Sequence, residues 1–360
     1  MNRIVIAMSG GVDSSVAAAL VARSGDEAVG VSMQLYDQRE GAPGHGFGSC
    51  CTLDDLHDAR RVARRLGIPH YIMNFERQFE EQVITDFVGE YARARTPLPC
   101  ARCNSDLKFS TLLDRARGFG ASAVATGHYA RIDRDPGPGT LRLRRGRDAA
   151  KDQSYFLFSL TQAQLSAARF PVGELTKPEV RAHARDLDLH VADKRDSHEI
   201  CFVPDGDYAA FVERRSPEAG TPGDITDTAG RVLGRHAGIH RFTVGQRKGL
   251  GLSAREPLYV VRVEPDSRNV IVGPAAALEQ TSLTAGTVNW ITGAPPGGPV
   301  EADVQIRHRH PAAPARVTPL DGQRARVEFL EPQRAIAPGQ AAVFYQSDVV
   351  LGGGWIESGP

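Results

Sequence analysis

Arg3-Ile-Val-Ile-Ala-Met-Ser-Gly-Gly-Val-Asp-Ser-Ser15 is an apolar strand running straight into a small polar turn that carries two adjacent glycines. Residues 16–22, rich in alanine, read as the start of a helix. A strand, a tight glycine turn and a helix N-terminus together make an anion site. Backbone N–H groups at Gly10 and Gly11 converge, the helix dipole favours negative charge, and the hydroxyls of Ser9, Ser14 and Ser15 are expected to add donors. The turn lacks the lysine of the common nucleotide P-loop, and it lacks the G-x-G-x-x-G spacing of a dinucleotide fold. It therefore predicts phosphate binding of another kind.

The bulk numbers bound the rest. At 360 residues the chain exceeds one typical core, which predicts two or three domains. Lys plus Arg equals Asp plus Glu, at 43 each, so contact with nucleic acid has to come from local patches. No stretch approaches 18 apolar residues and the first six residues already read as strand, so neither a membrane span nor a signal peptide is expected. A cytoplasmic location without membrane contact follows as an expectation. Five cysteines, an odd number grouped as Cys50-Cys51, Cys100 with Cys103, and Cys201, do not form a disulfide scaffold. They point to chemistry or metal.

Up to about residue 200, short apolar runs alternate with helical patterns. Strands are expected at 28–35, 70–74 and 123–126, and helices at 54–66 (opened by Thr52), 76–95 and 107–117. That order predicts an α/β fold with a doubly wound parallel sheet, binding ligands at the carboxyl ends of its strands. Residues 41–48 read as a glycine-rich loop and 130–146 as a hairpin. From about Pro204 the texture turns to short alternating strands. Three units are expected: 1–204 as the catalytic domain, 205–278 as a small central β-rich domain, and 279–360 as a C-terminal β-barrel. Barrel strands are predicted at 287–291, 301–307, 324–329 and 341–345.

Thr96-Pro-Leu-Pro-Cys100-Ala-Arg-Cys103-Asn104 reads as a proline-stiffened loop with two thiols, and Cys201 ends Asp196-Ser-His-Glu-Ile-Cys201. Two thiols and a distant third, on the domain that carries the anion turn, suggest sulfur handling more than redox chemistry. The Ser9–Ser15 signature resembles that of the ATP pyrophosphatases, the PP-loop superfamily (adenine nucleotide alpha hydrolase-like), which split ATP between the α and β phosphates. With Ala125-Thr-Gly-His-Tyr129, Lys151-Asp-Gln-Ser-Tyr-Phe156, Phe170-Pro-Val-Gly-Glu174, Glu199-Ile-Cys-Phe202, Thr243-Val-Gly-Gln-Arg-Lys-Gly-Leu-Gly251 and Pro338-Gly-Gln-Ala-Ala-Val-Phe-Tyr345, nearly the whole chain resembles the tRNA-specific 2-thiouridylase family.

The resemblance implies an ATP-dependent sulfurtransferase that replaces the C2 oxygen of the tRNA wobble uridine by sulfur. It implies ATP contacts at Ala7, Met8, Ser9, Gly10, Gly11, Val12, Asp13, Ser14 and Ser15, joined by Met33 and Gly127, with Asp13 helping to bind Mg²⁺. It further implies base or tRNA contacts at Leu98, Pro99, Cys100, Lys151, Asp152, Gln153, Arg307 and His308. Cys201 would carry a persulfide and Cys103 would be the second catalytic thiol, resolving it as a disulfide, with Arg102 or Lys108 supplying positive charge. The family also implies a cysteine desulfurase or sulfur carrier protein as donor and tRNAs for Lys, Glu and Gln as substrates. A monomer is the expected working unit.

Two routes stay open for the thiols. Some family members carry Asp where this chain has Cys100, and Cys100, Cys103 and Cys201 could instead hold a [4Fe–4S] cluster. Structural zinc lacks an evident fourth ligand, and Cys50 and Cys51 read as loop or core cysteines. Met33 alone would read as core, and His128 suits a structural hydrogen bond as well as a substrate contact. Residues 131–151 carry seven Lys or Arg against three Asp, a local excess that favours phosphate contacts, and the 246–248 turn is also basic. A PP-loop amidotransferase or ligase would share the turn without needing the thiols. A non-catalytic tRNA-binding or iron–sulfur sensing protein would not need the intact turn.

Overall fold

The computed structural model describes residues 2–36, 53–137, 139–196, 200–203 and 206–357. The expected loop at 41–48, Cys50, Cys51 and the Thr52 helix start lie outside the described residues.

The first unit is built on a parallel sheet. Strands β1 (Arg3–Ala7), β2 (Glu27–Gln34), β3 (His70–Asn74), β4 (Ala123–Ala125) and, further along the chain, a two-residue strand at Ala168–Arg169 lie in the order β3-β2-β1-β4 and then Ala168–Arg169. Every pairing is parallel, so the reversal of winding falls beside β1. Alternation along β1 decides both faces. Ile4 and Ile6 pack with Val16, Ala59, Val62 and Val180, from helices α1 (Val12–Arg23), α2 (Leu53–Leu66) and a later helix at Lys177–Asp186. Val5 points the other way, among Phe79, Phe87, Leu107 and Leu112 from the helical runs over 76–92 and 99–118. Because all strands run one way, their carboxyl ends share an edge, where the Ser9–Ser15 turn sits.

Both long helical runs contain a π-helical stretch, at Glu80–Ile84 and Cys103–Thr111. The second run begins at Pro99, in the first-turn position that tolerates proline. Cys100 and Cys103 therefore stand on a helix, not on the expected loop. Only the preceding Thr96–Leu98 segment is irregular.

The middle module opens with a helix at Tyr208–Arg215, where strands were expected. Asp207 caps it by accepting from Ala210 N–H at 2.9 Å. A four-stranded sheet follows, containing Gly223–Asp227, Val232–His236, Tyr259–Glu264 and Asn269–Gly273.

Six antiparallel strands then close into a barrel: Glu279–Trp290, Val300–Gln305, Ala313–Leu320, Arg324–Arg334, Ala341–Gln346 and Val349–Ile356. The last of these pairs back to the first, Ala285 opposite Ile356. The expected hairpin forms from Ala130–Arg134 and Leu141–Arg145, yet it belongs spatially to the barrel, with Val349 opposite Arg144 and Val350 opposite Leu143. The first and third units thus share one hydrogen-bonded sheet.

Candidate functional site

Gly10 takes φ +76°, and a Cβ there would lie 2.2 Å from the Asp55 carbonyl oxygen of α2. Only glycine allows that turn and that approach. Lys194 fastens the same corner: its Nζ reaches Gly10 O at 3.2 Å, Asp55 Oδ1 at 2.6 Å and Asp58 Oδ2 at 2.6 Å. The serines divide their work differently from the sequence expectation. Ser14 and Ser15 are buried and donate back to the Gly11 carbonyl, at 3.2 and 2.8 Å, and the Ser9 N–H donates to Ser14 Oγ at 3.2 Å. Those two hydroxyls shape the turn. Exposed Ser9 and the α1 N-terminus are left to face an anion.

Gly127 fits closely behind them, since a Cβ there would meet Ser14 N at 2.6 Å. The missing side chain is required by α1 itself. Ala7 is half-buried, Met8 and Val12 are buried in the core, and Met33 is buried beneath the carboxyl end of β2. His128 pairs through Nδ1 with Thr126 Oγ1 at 2.7 Å and rests against Phe109 and Phe170. Burial, and then the Lys108 charge, push its pKa well below the ordinary imidazole value, so it serves as a neutral structural group.

Asp13, in the first turn of α1, is fully engaged. Tyr129 Oη donates to Oδ1 at 2.7 Å, and Lys177 Nζ donates to both oxygens at 2.8 Å. Lys177, only 9% exposed, also reaches Asp196 Oδ1 at 2.7 Å, while Lys151 holds Asp196 Oδ2 at 2.6 Å. Burial alone would raise the Asp196 pKa, but hydrogen bonds from Lys151 and Lys177 outweigh it and hold it at about 2. The folded state thus favours the ionised carboxylate. Its contribution is present above the ordinary carboxylate value of 3.8 and is lost as pH falls toward 2. The shift corresponds to roughly 2 kcal/mol. Acid titration of denaturant midpoints should show the wild type losing about 2 kcal/mol more than Asp196→Asn between about pH 4 and pH 2, and equal losses would refute this account.

The thiols are placed by aromatic packing. Phe202 is wedged against Phe79, Phe87 and Phe211, with ring centroids 5.5, 5.0 and 5.3 Å away, which fixes the 200–203 turn carrying Cys201. Tyr36 Oη donates to the Cys201 carbonyl at 3.3 Å. Cys103 and Cys201 both pack against the same apolar cluster and are partly exposed, whereas Cys100 is exposed. Among the described residues no group of three His, Cys, Asp or Glu side chains is gathered as a metal site. Arg102 turns toward Asp86 at 3.6 Å and lies over the Trp355 ring at 4.6 Å, and Lys108 donates to Asn104 Oδ1 at 2.9 Å.

The barrel grips the segment ahead of the thiols. Thr96 N–H donates to Pro338 O at 2.7 Å, and Gln340 Nε2 donates to the carbonyls of Thr96 and Pro97 at 3.1 and 3.2 Å. Leu98 and Pro99 are buried directly before exposed Cys100. Asp152 and Gln153 face inward. The Asp152 carboxylate, 7% exposed, accepts from Arg145 at 2.8 Å, from Gly146 N at 3.0 Å and from Ser154 N and Oγ at 3.1 and 2.9 Å. Gln153 Oε1 accepts from Tyr129 N at 3.0 Å. Arg307 and His308 follow the strand Val300–Gln305, with the exposed His308 ring 4.5 Å from Phe156.

The basic run at 131–151 is largely paired within the fold. Arg131, Arg142, Arg144, Arg145, Arg147 and Lys151 all pair with carboxylates, several of them distant in sequence, such as Asp348 and Glu179. The seventh basic residue of the run, exposed Arg134, donates to the Gly139 carbonyl.

Sequence reasoning missed Lys177, Lys194 and Asp196 in this site. The one available signal was Thr176-Lys-Pro-Glu179, in which the Glu179 carboxylate accepts from Thr176 N–H and Oγ1 at 2.7 and 2.9 Å and so marks a helix start at Lys177.

Three family models match the chain in order: the tRNA methyl transferase HUP domain over 2–205, the tRNA methyl transferase PRC-barrel domain over 209–274 and the aminomethyltransferase beta-barrel domain over 280–356. Among curated proteins, the tRNA-specific 2-thiouridylase MnmA of Solibacter usitatus is 56% identical, over 98% of this chain and 99% of that protein. The proteins of the same name from Geotalea uraniireducens and Geobacter metallireducens are each 54% identical over 99% of this chain, covering 95% and 97% of their own lengths. The domain descriptions mention methyl transfer, but the relatives matched from end to end are 2-thiouridylases, and full-length identity is the more specific finding.

Proposed function

Since the chain belongs to the tRNA-specific 2-thiouridylase family, we propose that it activates the wobble uridine of tRNA with ATP and replaces its C2 oxygen by sulfur. The observation that carries this reading is the pairing, in one domain, of a lysine-free ATP turn with the partly exposed thiols Cys103 and Cys201.

A uracil C2 oxygen is a poor leaving group. In the first step it attacks the α-phosphorus of ATP and pyrophosphate departs, with the phosphates resting on the free N–H groups at the α1 N-terminus. Sulfur then enters as a persulfide on Cys201, supplied by a cysteine desulfurase or a sulfur carrier protein. Its terminal sulfur attacks C2 and AMP leaves. The Cys103 thiolate attacks Sγ of Cys201, breaking the S–S bond to the transferred atom and forming a Cys103–Cys201 disulfide. An external dithiol must reduce that disulfide before the next cycle.

A Mg²⁺ arriving with ATP would neutralise phosphate charge, and it would meet an Asp13 carboxylate already paired with Lys177 and Tyr129. We assign Leu98, Pro99 and Cys100 to the flipped-out base, and Arg307 and His308 to tRNA. Lys151, Asp152 and Gln153 support that surface from within. The substrates we expect are tRNAs for Lys, Glu and Gln, met in the cytoplasm by a monomer. No helix among the described residues is long and apolar enough to cross a membrane.

Incubation with ATP, unmodified tRNA and a persulfide donor tests the reading. AMP, pyrophosphate and 2-thiouridine should form together and only when tRNA is present. Release of ADP, or pyrophosphate without tRNA, would overturn it.

A further inference from the structure

The second basic stretch of the chain differs from the first. Arg247, Lys248 and Arg255 are exposed, and none of them reaches a carboxylate among the described residues. Their neighbours in the same module do: Arg231 pairs with Asp227, Arg235 with Asp224 and Arg262 with Glu264. Arg247 and Arg255 line a cleft of about 360 Å³ together with Gly249, Gly251 and the carboxylate-bearing Glu256. From Arg247 to Leu258 three cations stand against that one acid. We propose that the 247–258 loop is a binding site for phosphate groups of an RNA backbone, holding the tRNA substrate from the middle module.

This inference rests on the tRNA reading above, and the construction of the loop supports it. Gln246 fastens the entrance. Its Oε1 accepts from Thr243 N–H at 3.0 Å, its Nε2 donates to Lys248 O at 3.0 Å, and its carbonyl accepts from Val260 N–H at 2.9 Å. Leu250 is buried with Ile225 and Val260, and Leu252 and Leu258 pack beside them, so the apolar side chains belong to the core of the module. The polar groups are left over. No backbone N–H from Arg247 to Leu258, Pro257 aside, donates to an acceptor among the described residues. Gly249 and Gly251 take φ +77° and +67° on either side of Leu250, whose φ is not positive. Alternating handedness of this kind lets successive N–H groups converge on an anion. Unpaired cations and unspent N–H donors around one concavity suit a phosphate. No aromatic ring lines the cleft, so it offers no platform for stacking a base and contacts backbone without reading sequence. An acidic protein segment is the weaker candidate. The tRNA substrate is a polyanion, and the 131–151 run, largely paired within the fold, leaves its charge to other cations.

Filter binding of tRNA to the full chain across a salt series tests the site. Arg247→Gln combined with Arg255→Gln should weaken tRNA binding at least about tenfold at about 0.1 M salt. The slope of log affinity against log salt should fall by about 1.5, since each lost phosphate contact removes about 0.7–0.9. Arg247→Lys with Arg255→Lys keeps both charges and should recover at least about half of the lost slope. The loss should be alike for tRNAs of different sequence. Arg60→Gln with Arg64→Gln removes two exposed arginines of α2 that reach no carboxylate among the described residues, and controls for net charge. That pair should move the slope by less than about 0.5. Unchanged affinity and slope in the Arg247/Arg255 glutamine pair, an equal effect from the α2 pair, or a loss confined to one tRNA would overturn the proposal. So would a poly-glutamate peptide whose binding needs Arg247 and Arg255 while tRNA binding does not, since the cleft would then belong to an acidic protein segment. A wild-type chain that binds tRNA through these arginines yet forms no 2-thiouridine sinks the functional reading alone.

Discussion

Cys201→Ser is expected to lower 2-thiouridine formation at least about a thousandfold. The hydroxyl cannot accept a sulfane sulfur by thiol exchange and is not ionised near neutral pH, so no sulfur reaches the base. The substitution replaces one atom on a partly exposed side chain whose turn is fixed by Phe202, so thermal stability should move by less than about 1 kcal/mol. Mass spectrometry of digested tRNA reads the first quantity and a melting curve the second. Cys103→Ser separates the two thiols. It leaves the base joined to Cys201 through a disulfide, a tRNA–protein adduct that added dithiol releases. Residual activity of Cys201→Ser within about tenfold of wild type would remove the persulfide route.

Gly10→Ala should be the most damaging single-methyl change in the ATP turn, and Gly11→Ala its mild neighbour. At Gly10 the left-handed backbone costs an L-residue about 1–2 kcal/mol. The added Cβ also meets the Asp55 carbonyl at 2.2 Å, backbone against backbone, so α2 or the turn must shift. A combined loss of at least about 3 kcal/mol follows, lowering the melting temperature by roughly 6–12 °C. The turn that moves is the one we assign to phosphate, so ATP affinity should fall at least about tenfold. Gly11 has φ −88°, and its Cβ would meet only Ser9 Oγ at 3.6 Å. Its alanine variant should stay within about 1 kcal/mol of wild type. Calorimetry with and without ATP checks both, and similar melting temperatures for the pair would contradict the geometry.

The β1–turn–α1 unit was legible in the sequence because its signal is local: a buried strand, two glycines and a helix former in direct succession. The parallel sheet followed from the same kind of alternation, and the strand order agrees with it. The barrel was only half legible. Val349–Ile356, not among the predicted strands, contains Gly352, Gly353 and Gly354, and a Cβ at each would meet Asn289 O, Phe158 Cδ2 or Gly286 O at 2.5–2.8 Å. Close packing from other elements demands glycine there, against its own strand propensity. Ala313–Leu320 was hidden by Pro314 and Pro319. At the site, the family motifs brought out the turn and the thiols, while the charge count at 131–151 gave no sign that most of those charges are paired. Charges can be summed from a sequence, but their partners cannot. Asp348, Glu179 and Asp196 are brought in by the fold, and Lys177 becomes notable only once Asp13 and Asp196 flank it.

The hairpin that joins the first unit to the barrel bears on how the protein is made. Ala130–Arg134 and Leu141–Arg145 leave the ribosome early, but their edge partner, Val349–Ile356, is translated some two hundred residues later. The Thr96–Pro97 backbone waits equally long for Pro338 and Gln340. Domains fold as they are synthesised, first part first, so the ATP turn can assemble while the thiol-bearing segment still lacks its brace. The brace on Thr96 and Pro97, directly ahead of the helix that carries Cys100 and Cys103, is therefore the last part of that region to be completed. The sheet that joins the first unit to the barrel closes only when Val349–Ile356 has been made, so the two ends of the chain complete each other's structure.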